Sequence, residues 1–560
     1  MKSREYTDEQ APTHVAVSPR TRDAIPQWRG IAAIGWTPRM AMAVWGLIHA
    51  VIFLGLYKLP VRIAAMTYYE MGSDTQHVYW PAVQKLLAGR VPYVDPHFFV
   101  EYPPLGTGFF LLPALLHPAS LRVYDWLFAA EVLAVDLATL PLIARLARRQ
   151  RISATGAITA YGLLVPFLGS LVSQRYDLVP ATLTLGAILA LLDRRSVVAW
   201  VLLLAATLMK LYPAALVPLF LLYDWRPWLA AARHHLDWQD ARRRSRGVAV
   251  YMAGLVGSTV AWYLLAPASL ERFARWETRR GIEIESLFGS VAELGRLGGL
   301  AVSRNVAYGS YDVASALTPA LKLLSTALTL GLLAAVYLSY ARRMPSPPTP
   351  LPCAGEGETL TPNPSPARRI PFPLIPWLTG PSAAVDGPAR LSLAVGEGET
   401  PLHGGRLPSP AHGESRLGCR SGAERDQSAW GGGEGIPDGE SDSRALVTHA
   451  TLAVLAVLLG SKLLSIQFLL WLLPLVAVQA YRPRHVAALA FVIVLLSQWV
   501  YPANWLPLWR FEVEPILVLA LRNLLLVGLF ALLWRHRGAA SPVSSSMKGI
   551  TALKPEGTVS

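Results

Sequence analysis

The chain has 560 residues, 53% hydrophobic and 16% charged, with a positive mean hydropathy. Soluble domains carry about 25% charged residues, so this composition excludes an ordinary soluble domain and points to a polytopic membrane protein. The formal charge of +14 comes from arginines clustered between apolar spans, which the positive-inside rule explains better than nucleic-acid binding.

Residues 1–39 are polar and basic without an apolar core, so they read as a cytoplasmic tail and not as a cleavable signal. The first span, 40–59, is expected to be an uncleaved anchor carrying the chain outward. A long loop follows, with Asp74, His77, Tyr79, Gly89, Pro92, Tyr93, Glu101, Tyr102, Pro103 and Pro104. Loops beyond about a dozen residues are functional or disordered, and this aromatic composition predicts a folded one. The apolar piece 105–116 is too short for an untilted crossing and predicts a re-entrant or interfacial segment. Span 121–147 then leads to the basic run Arg145–Arg151.

Spans 153–172 and 178–192 flank Gln174-Arg175-Tyr176-Asp177. Residues 196–222 read as a helical hairpin with Lys210 near its outer tip, because Pro213 breaks the helix and lysine resists the bilayer centre. The basic loop 223–247 should be cytoplasmic, touching anionic lipid. Span 248–266 leads to a second outer loop, 267–311, and span 313–340 returns to Arg342 and Arg343.

Residues 344–444 are rich in Pro, Gly, Ser and Glu and carry echoes such as Gly355–Thr359 repeated at Gly396–Thr400. This composition predicts a disordered cytoplasmic insertion without a catalytic role. Both cysteines, Cys353 and Cys419, lie in it, which excludes cysteine chemistry from the membrane body. Spans near 445–460, 464–480, 486–500 and 513–534 complete the second part of the core, 445–537, before a cytoplasmic tail at 538–560. The expectation is an all-α bundle of roughly 11 to 13 crossings.

Under this topology Asp74, Arg175, Asp177, Lys210, Arg279, Arg280 and Gln467 gather on the outer face. Charged groups near membrane depth cost about 2.5–3.5 kcal/mol each, so their clustering marks a functional site. Acids beside bases suit a substrate with a phosphate to be held and a hydroxyl to be activated. Each residue also has a plain structural alternative. Asp74 fits a helix N-cap, His77 a loop hydrogen-bonder, and Lys210 a snorkelling helix end. Arg279 and Arg280 fit surface pairs with Glu283 and Glu285, and Asp125 and Asp136 fit buried hydrogen-bonders within an apolar helix.

The series Asp74, Tyr79, Gly89, Pro92-Tyr93 and Tyr102-Pro103-Pro104 resembles the first outer loop of GT-C fold glycosyltransferases. The resemblance is to glycosyltransferase family 87 in particular, the polyprenyl-phosphate-mannose-dependent group. Gln174–Asp177, Arg280–Ser286, and Ser465–Gln467 leading to Trp471 and Pro474 are similar to its later motifs, and the likeness covers about 40–340 and 445–535. It implies inverting transfer of a hexose, such as mannose, from a polyprenyl-phosphate-sugar donor to a lipid or glycan hydroxyl. Transfer would occur outside the cell membrane with no cofactor or metal. It implies Asp74 as the base, and substrate binding by Tyr79, Tyr93, Tyr102, Arg175, Asp177, Lys210, Arg280, Glu285 and Gln467. The competing class is a transporter or lipid flippase, but the chain lacks the repeated halves common there.

Overall fold

The computed structural model describes residues 36–56, 62–63, 66–67, 74–92, 94–95, 98, 100–117, 119–231, 238–343, 438–479 and 484–537. The chain divides into two units, 1–347 with 435–560 and 348–434, and all described residues lie in the first. Most of the N-terminal tail, the insertion up to 437 with both cysteines, the C-terminal tail and Tyr93 lie outside the described residues.

Helix α1 (Pro38–Leu54) is followed by two short paired strands, β1 (Arg62–Ile63) and β2 (Met66–Thr67). A wide π-turn, Thr75–Tyr79, feeds α2 (Trp80–Leu87), and then come α3 (Pro104–Leu116), α4 (Leu121–Arg149) and α5 (Ala154–Leu164). The chain continues through α6 (Leu171–Gln174), α7 (Leu178–Leu192), α8 (Ser196–Met209), α9 (Val217–Ala231) and α10 (Trp238–Leu265). The second long loop contains α11 (Pro267–Arg279), β3 (Ile282–Glu283), α12 (Leu287–Leu297), β4 (Val302–Ala307) and β5 (Ser310–Ser315). The remaining helices are α13 (Thr318–Arg343), α14 (Asp438–Gly460), α15 (Leu473–Gln479), α16 (Arg484–Gln498), α17 (Trp505–Trp509) and α18 (Val513–His536).

Six described helices are long and apolar enough to cross a membrane, and five more are apolar but shorter. The short ones arise where the sequence interrupts a span. Lys210 ends α8 in extended backbone before a 3-10 turn at Tyr212–Leu216, as the hairpin reading expected. The expected span 153–172 breaks at Pro166, and 464–480 is a 3-10 turn, Ile466–Trp471, followed by α15. At thirteen residues α3 is about 20 Å long, short of a full crossing. Helix α14 begins at Asp438, earlier than the expected 445.

Side-chain caps set several starts: Thr37 accepts from the Met40 amide, Ser153 from Gly156 and Ser286 from Gly289. Helix α14 lies centrally against α13 and α18, with 78% of its apolar window buried. Helix α10 has only 6% of its window buried and presents its leucines and valines outward.

One buried polar knot ties the first helices together. His49 on α1 bonds Asp136 on α4 at 2.6 Å and the Gly162 carbonyl on α5 at 2.9 Å. Tyr161 donates to the other Asp136 oxygen at 2.8 Å, which realises the structural role expected of Asp136. Removing one member of a buried ionisable pair strands its partner. Asp136→Leu should therefore cost about 3 kcal/mol, read as a lowered unfolding temperature of the purified protein. His49→Leu with Asp136→Leu should recover part of that loss.

Candidate active site

Asp74 opens the π-turn in helical backbone and makes no capping bond, so the N-cap alternative does not describe it. Its side chain, 12% exposed, pairs with Arg175 and accepts from Tyr102 at 3.2 Å and, more weakly, from Tyr79 at 3.4 Å. The wide turn sets Tyr79 against Phe110, with ring centroids 3.9 Å apart. Pro103 and Pro104 restrict the chain entering α3, which fixes Tyr102 just before them. Tyr102 meets Tyr176 edge to face at 5.3 Å, and Tyr176 is anchored by its hydroxyl to the Met209 carbonyl at 3.0 Å. His77 is exposed on the outer side of the turn.

The short turn between α6 and α7 delivers two charges together. Arg175 is extended and reaches Asp74, while Asp177 pairs with Lys210 and accepts from the Trp471 indole at 2.7 Å. The Lys210 ammonium also lies 4.6 Å from the Phe468 ring centroid and 5.3 Å from that of Tyr176. Aromatic faces stabilise a cation that has left water. This buried pair goes beyond the snorkelling alternative.

Arg280 caps α11 and bonds Glu101 at 2.5 Å and the Tyr308 carbonyl at 2.9 Å, with Glu277 at 3.8 Å. It is a largely buried group bound across the two long loops, not an exposed partner of Glu283 and Glu285. The hairpin tip Tyr308-Gly309 presses on this pair. Both tip residues have positive φ, as a two-residue hairpin turn requires. A Cβ on Gly309 would stand 2.3 Å from a Glu101 oxygen. The hairpin sheet runs β3-β5-β4, all antiparallel.

Glu285 is buried beside β3, with Ser465, the Ile466 amide, Arg522 and Arg175 within electrostatic reach. Ser465 also donates to Gln467 at 2.6 Å, which joins Gln467 to the same corner. Buried Arg522 donates to the Glu285 carbonyl at 3.1 Å, and Asn523 to Ser290 at 2.7 Å. Among the described residues, Arg175 Nε, Glu285 Oε1, Arg522 Nε and Nη1, and Asn523 Oδ1 have no hydrogen-bond partner. An unsatisfied buried polar atom costs about 1–3 kcal/mol, so several together are a mark of a polar binding site.

The cluster thus brings together Asp74, Tyr79, Tyr102, Arg175, Asp177, Lys210, Arg280, Glu285 and Gln467. Electrostatic couplings link Lys210 to Glu101, and Arg175 to Asp177, Glu283, Glu285 and Tyr501. Sequence reasoning did not assign roles to Glu101, Trp471, Arg522 or the Tyr308-Gly309 tip. The tip was legible as a Gly-containing turn between two short β-prone runs. Arg522-Asn523 was legible as a polar pair inside an apolar span. Among the described residues no group of three His, Cys, Asp or Glu side chains is placed to hold a metal ion.

Burial raises the pKa of Glu101 despite the nearby Arg280. Burial raises both Glu283 and Glu285 above the ordinary 4.5, and Glu283 rises further through repulsion by Glu285. The folded chain therefore holds protons that the unfolded chain releases. This stability is complete below about 4.5 and is lost as pH climbs through neutrality. The unfolding temperature should fall between about pH 5 and pH 8, and Glu283→Gln should flatten the fall. A wild-type profile that is flat or rising would exclude protonation of this pair.

Residues 99–351 match Glycosyltransferase family 87. The matched stretch contains Tyr102, Arg175, Asp177, Lys210, Arg280 and Glu285, while Asp74 and Tyr79 precede it and Gln467 follows it. A comparison with curated proteins returns no match. With its body of apolar helices and this match over a little under half of its length, the chain resembles glycosyltransferase family 87, a family of membrane glycosyltransferases.

Proposed function

We propose that the chain transfers a hexose, mannose first among candidates, from a polyprenyl-phosphate-sugar to a hydroxyl of a lipid or glycan acceptor. In this reading the anomeric carbon is inverted and the site faces outward from the cell membrane. The observation that supports it best is the placement of Asp74, with its two tyrosines, beside the Arg175 and Lys210 cations and a set of unpaired buried polar atoms. A charged, hydroxylated substrate supplies the partners such atoms need.

In the proposed step the acceptor oxygen bonds to the anomeric carbon as the bond from that carbon to the phosphate oxygen breaks. The acceptor proton passes to Asp74, and polyprenyl phosphate leaves carrying the electron pair. A carboxylate is a weak base toward an alcohol, but the hydroxyl acidifies as it bonds to an oxocarbenium-like carbon. Asp74 is paired with Arg175, and an incoming phosphate would compete for that guanidinium and free the carboxylate. Lys210 and Arg280 would stabilise the departing phosphate. Tyr79 and Tyr102 orient the base. The domain division is part of the same proposal, with the insertion 344–444 playing no catalytic part.

Transfer of labelled sugar from polyprenyl-phosphate-mannose, and from its glucose counterpart, tests this reading. Asp74→Asn keeps the shape but not the base and should lower turnover by about a thousandfold or more. Lys210→Met should cost about a hundredfold in kcat. Removing residues 348–434 should leave turnover intact. Unchanged turnover in Asp74→Asn would remove that residue from the mechanism, and no transfer by wild type would remove the donor.

A further inference from the structure

Two neighbouring residues of the site each carry an unused atom, one a donor and one an acceptor. Arg175 gives Nη1 to Asp74, while its buried Nε has no partner among the described residues. Glu285 lies within electrostatic reach of that guanidinium, and its buried Oε1 has no partner either. The other acids near Arg175 are committed elsewhere. Asp177 is held by Lys210 and the Trp471 indole, and Glu283 has Arg280 and the Leu464 amide within reach.

The backbone of Glu285 is held from α18. Arg522 donates to its carbonyl at 3.1 Å, and Asn523 donates to the Glu285 and Ser286 carbonyls at 3.2 and 3.1 Å. The acid is thus fixed in place with one oxygen open. Arg175, on an extended stretch of a short turn, has the longer and more movable side chain. The step proposed above calls for such a neighbour. When Asp74 takes the acceptor proton it becomes neutral, and buried Arg175 loses the counter-charge that makes its burial tolerable.

We propose that Glu285 is a positioning residue whose open oxygen receives Arg175 as that guanidinium leaves Asp74. The base is thereby released and the cation is not stranded. The proposal rests on the reading of Asp74 as the base, and it gives Glu285 a role exercised through Arg175 in place of substrate contact. Only an ionised Glu285 pairs fully with a guanidinium. The groups facing it are Arg522, Arg175, Ser465, the Ile466 amide, Glu283 and Tyr501. Burial raises its pKa to about 7, so it ionises as pH climbs through neutrality.

The first test needs no substrate and compares unfolding temperatures of the full-length protein at about pH 8, where Glu285 is ionised. Glu285→Gln alone should leave the temperature unchanged or raise it, because it removes a charge whose burial is unfavourable. In an Asp74→Asn background Arg175 already rests on Glu285, so the same substitution should lower the temperature by about 5 °C. Adding Arg175→Met should abolish that loss. Equal effects of Glu285→Gln in both backgrounds would overturn the proposal.

The second test is transfer from polyprenyl-phosphate-mannose. Wild-type kcat should rise as pH passes about 7. Glu285→Gln should remove the rise and lower kcat about tenfold with the donor KM unchanged, and Glu285→Asp should restore part of both. A rise that persists in Glu285→Gln would also overturn the proposal. A background-dependent thermal loss without transfer from any polyprenyl-phosphate sugar would refute the donor reading and leave the exchange at Arg175 standing.

Discussion

The pairing of Asp74 with Arg175 is the contact on which the rest of the site depends. It joins the loop after α1 to the short turn between α6 and α7, and both groups are largely withdrawn from water. A carboxylate or guanidinium in that position is tolerable only with its counter-charge in contact, since an isolated buried ion costs several kcal/mol. The pair therefore fixes where the first outer loop sits against the bundle. Tyr79 and Tyr102 follow, because their hydroxyls are aimed at the same carboxylate.

The same constraint repeats outward from that pair. Asp177 holds Lys210 with the Trp471 indole as a third partner, and Glu101 holds Arg280 under the Tyr308-Gly309 tip. Each contact joins segments far apart in the chain. Helix breaks make this possible: the extended backbone at Lys210 and the 3-10 turn at Ile466–Trp471 place polar side chains where continuous helices would place leucines. The broken spans are thus part of how the site is built. Deep in the helices, the His49–Asp136–Tyr161 knot satisfies its members completely. Near the site, Arg175, Glu285 and Arg522 retain unpaired atoms.

The apolar patterning made the membrane body legible from the sequence, because some 20 consecutive apolar residues have few stable destinations other than a bilayer. Charge and punctuation made its breaks legible too: Lys210 and Pro213 mark the hairpin, and 105–116 is shorter than an untilted crossing needs. Motif order brought out Asp74, Arg175, Asp177, Lys210 and Arg280 as members of one site. What the sequence could not rank was each residue's alternative, such as Asp74 as a cap or Arg280 as a surface ion, since both uses leave the same letters.

Partner choice was decided by the tertiary structure alone. Arg280 stands beside Glu283 and Glu285 in the chain, yet it bonds Glu101, across about 180 residues. Glu285 turns instead toward Ser465 and Arg522, and the Tyr308-Gly309 tip closes on Glu101 from a hairpin formed late in the second outer loop. Sequence proximity carries no information about which opposite charge is nearest once the backbone folds back on itself. The sequence by itself determined an all-α membrane protein with acids and bases clustered at the breaks between its apolar spans. Only the packing of helices and loops determined which acid meets which base, because burial makes that pairing obligatory but leaves its choice to three-dimensional distance.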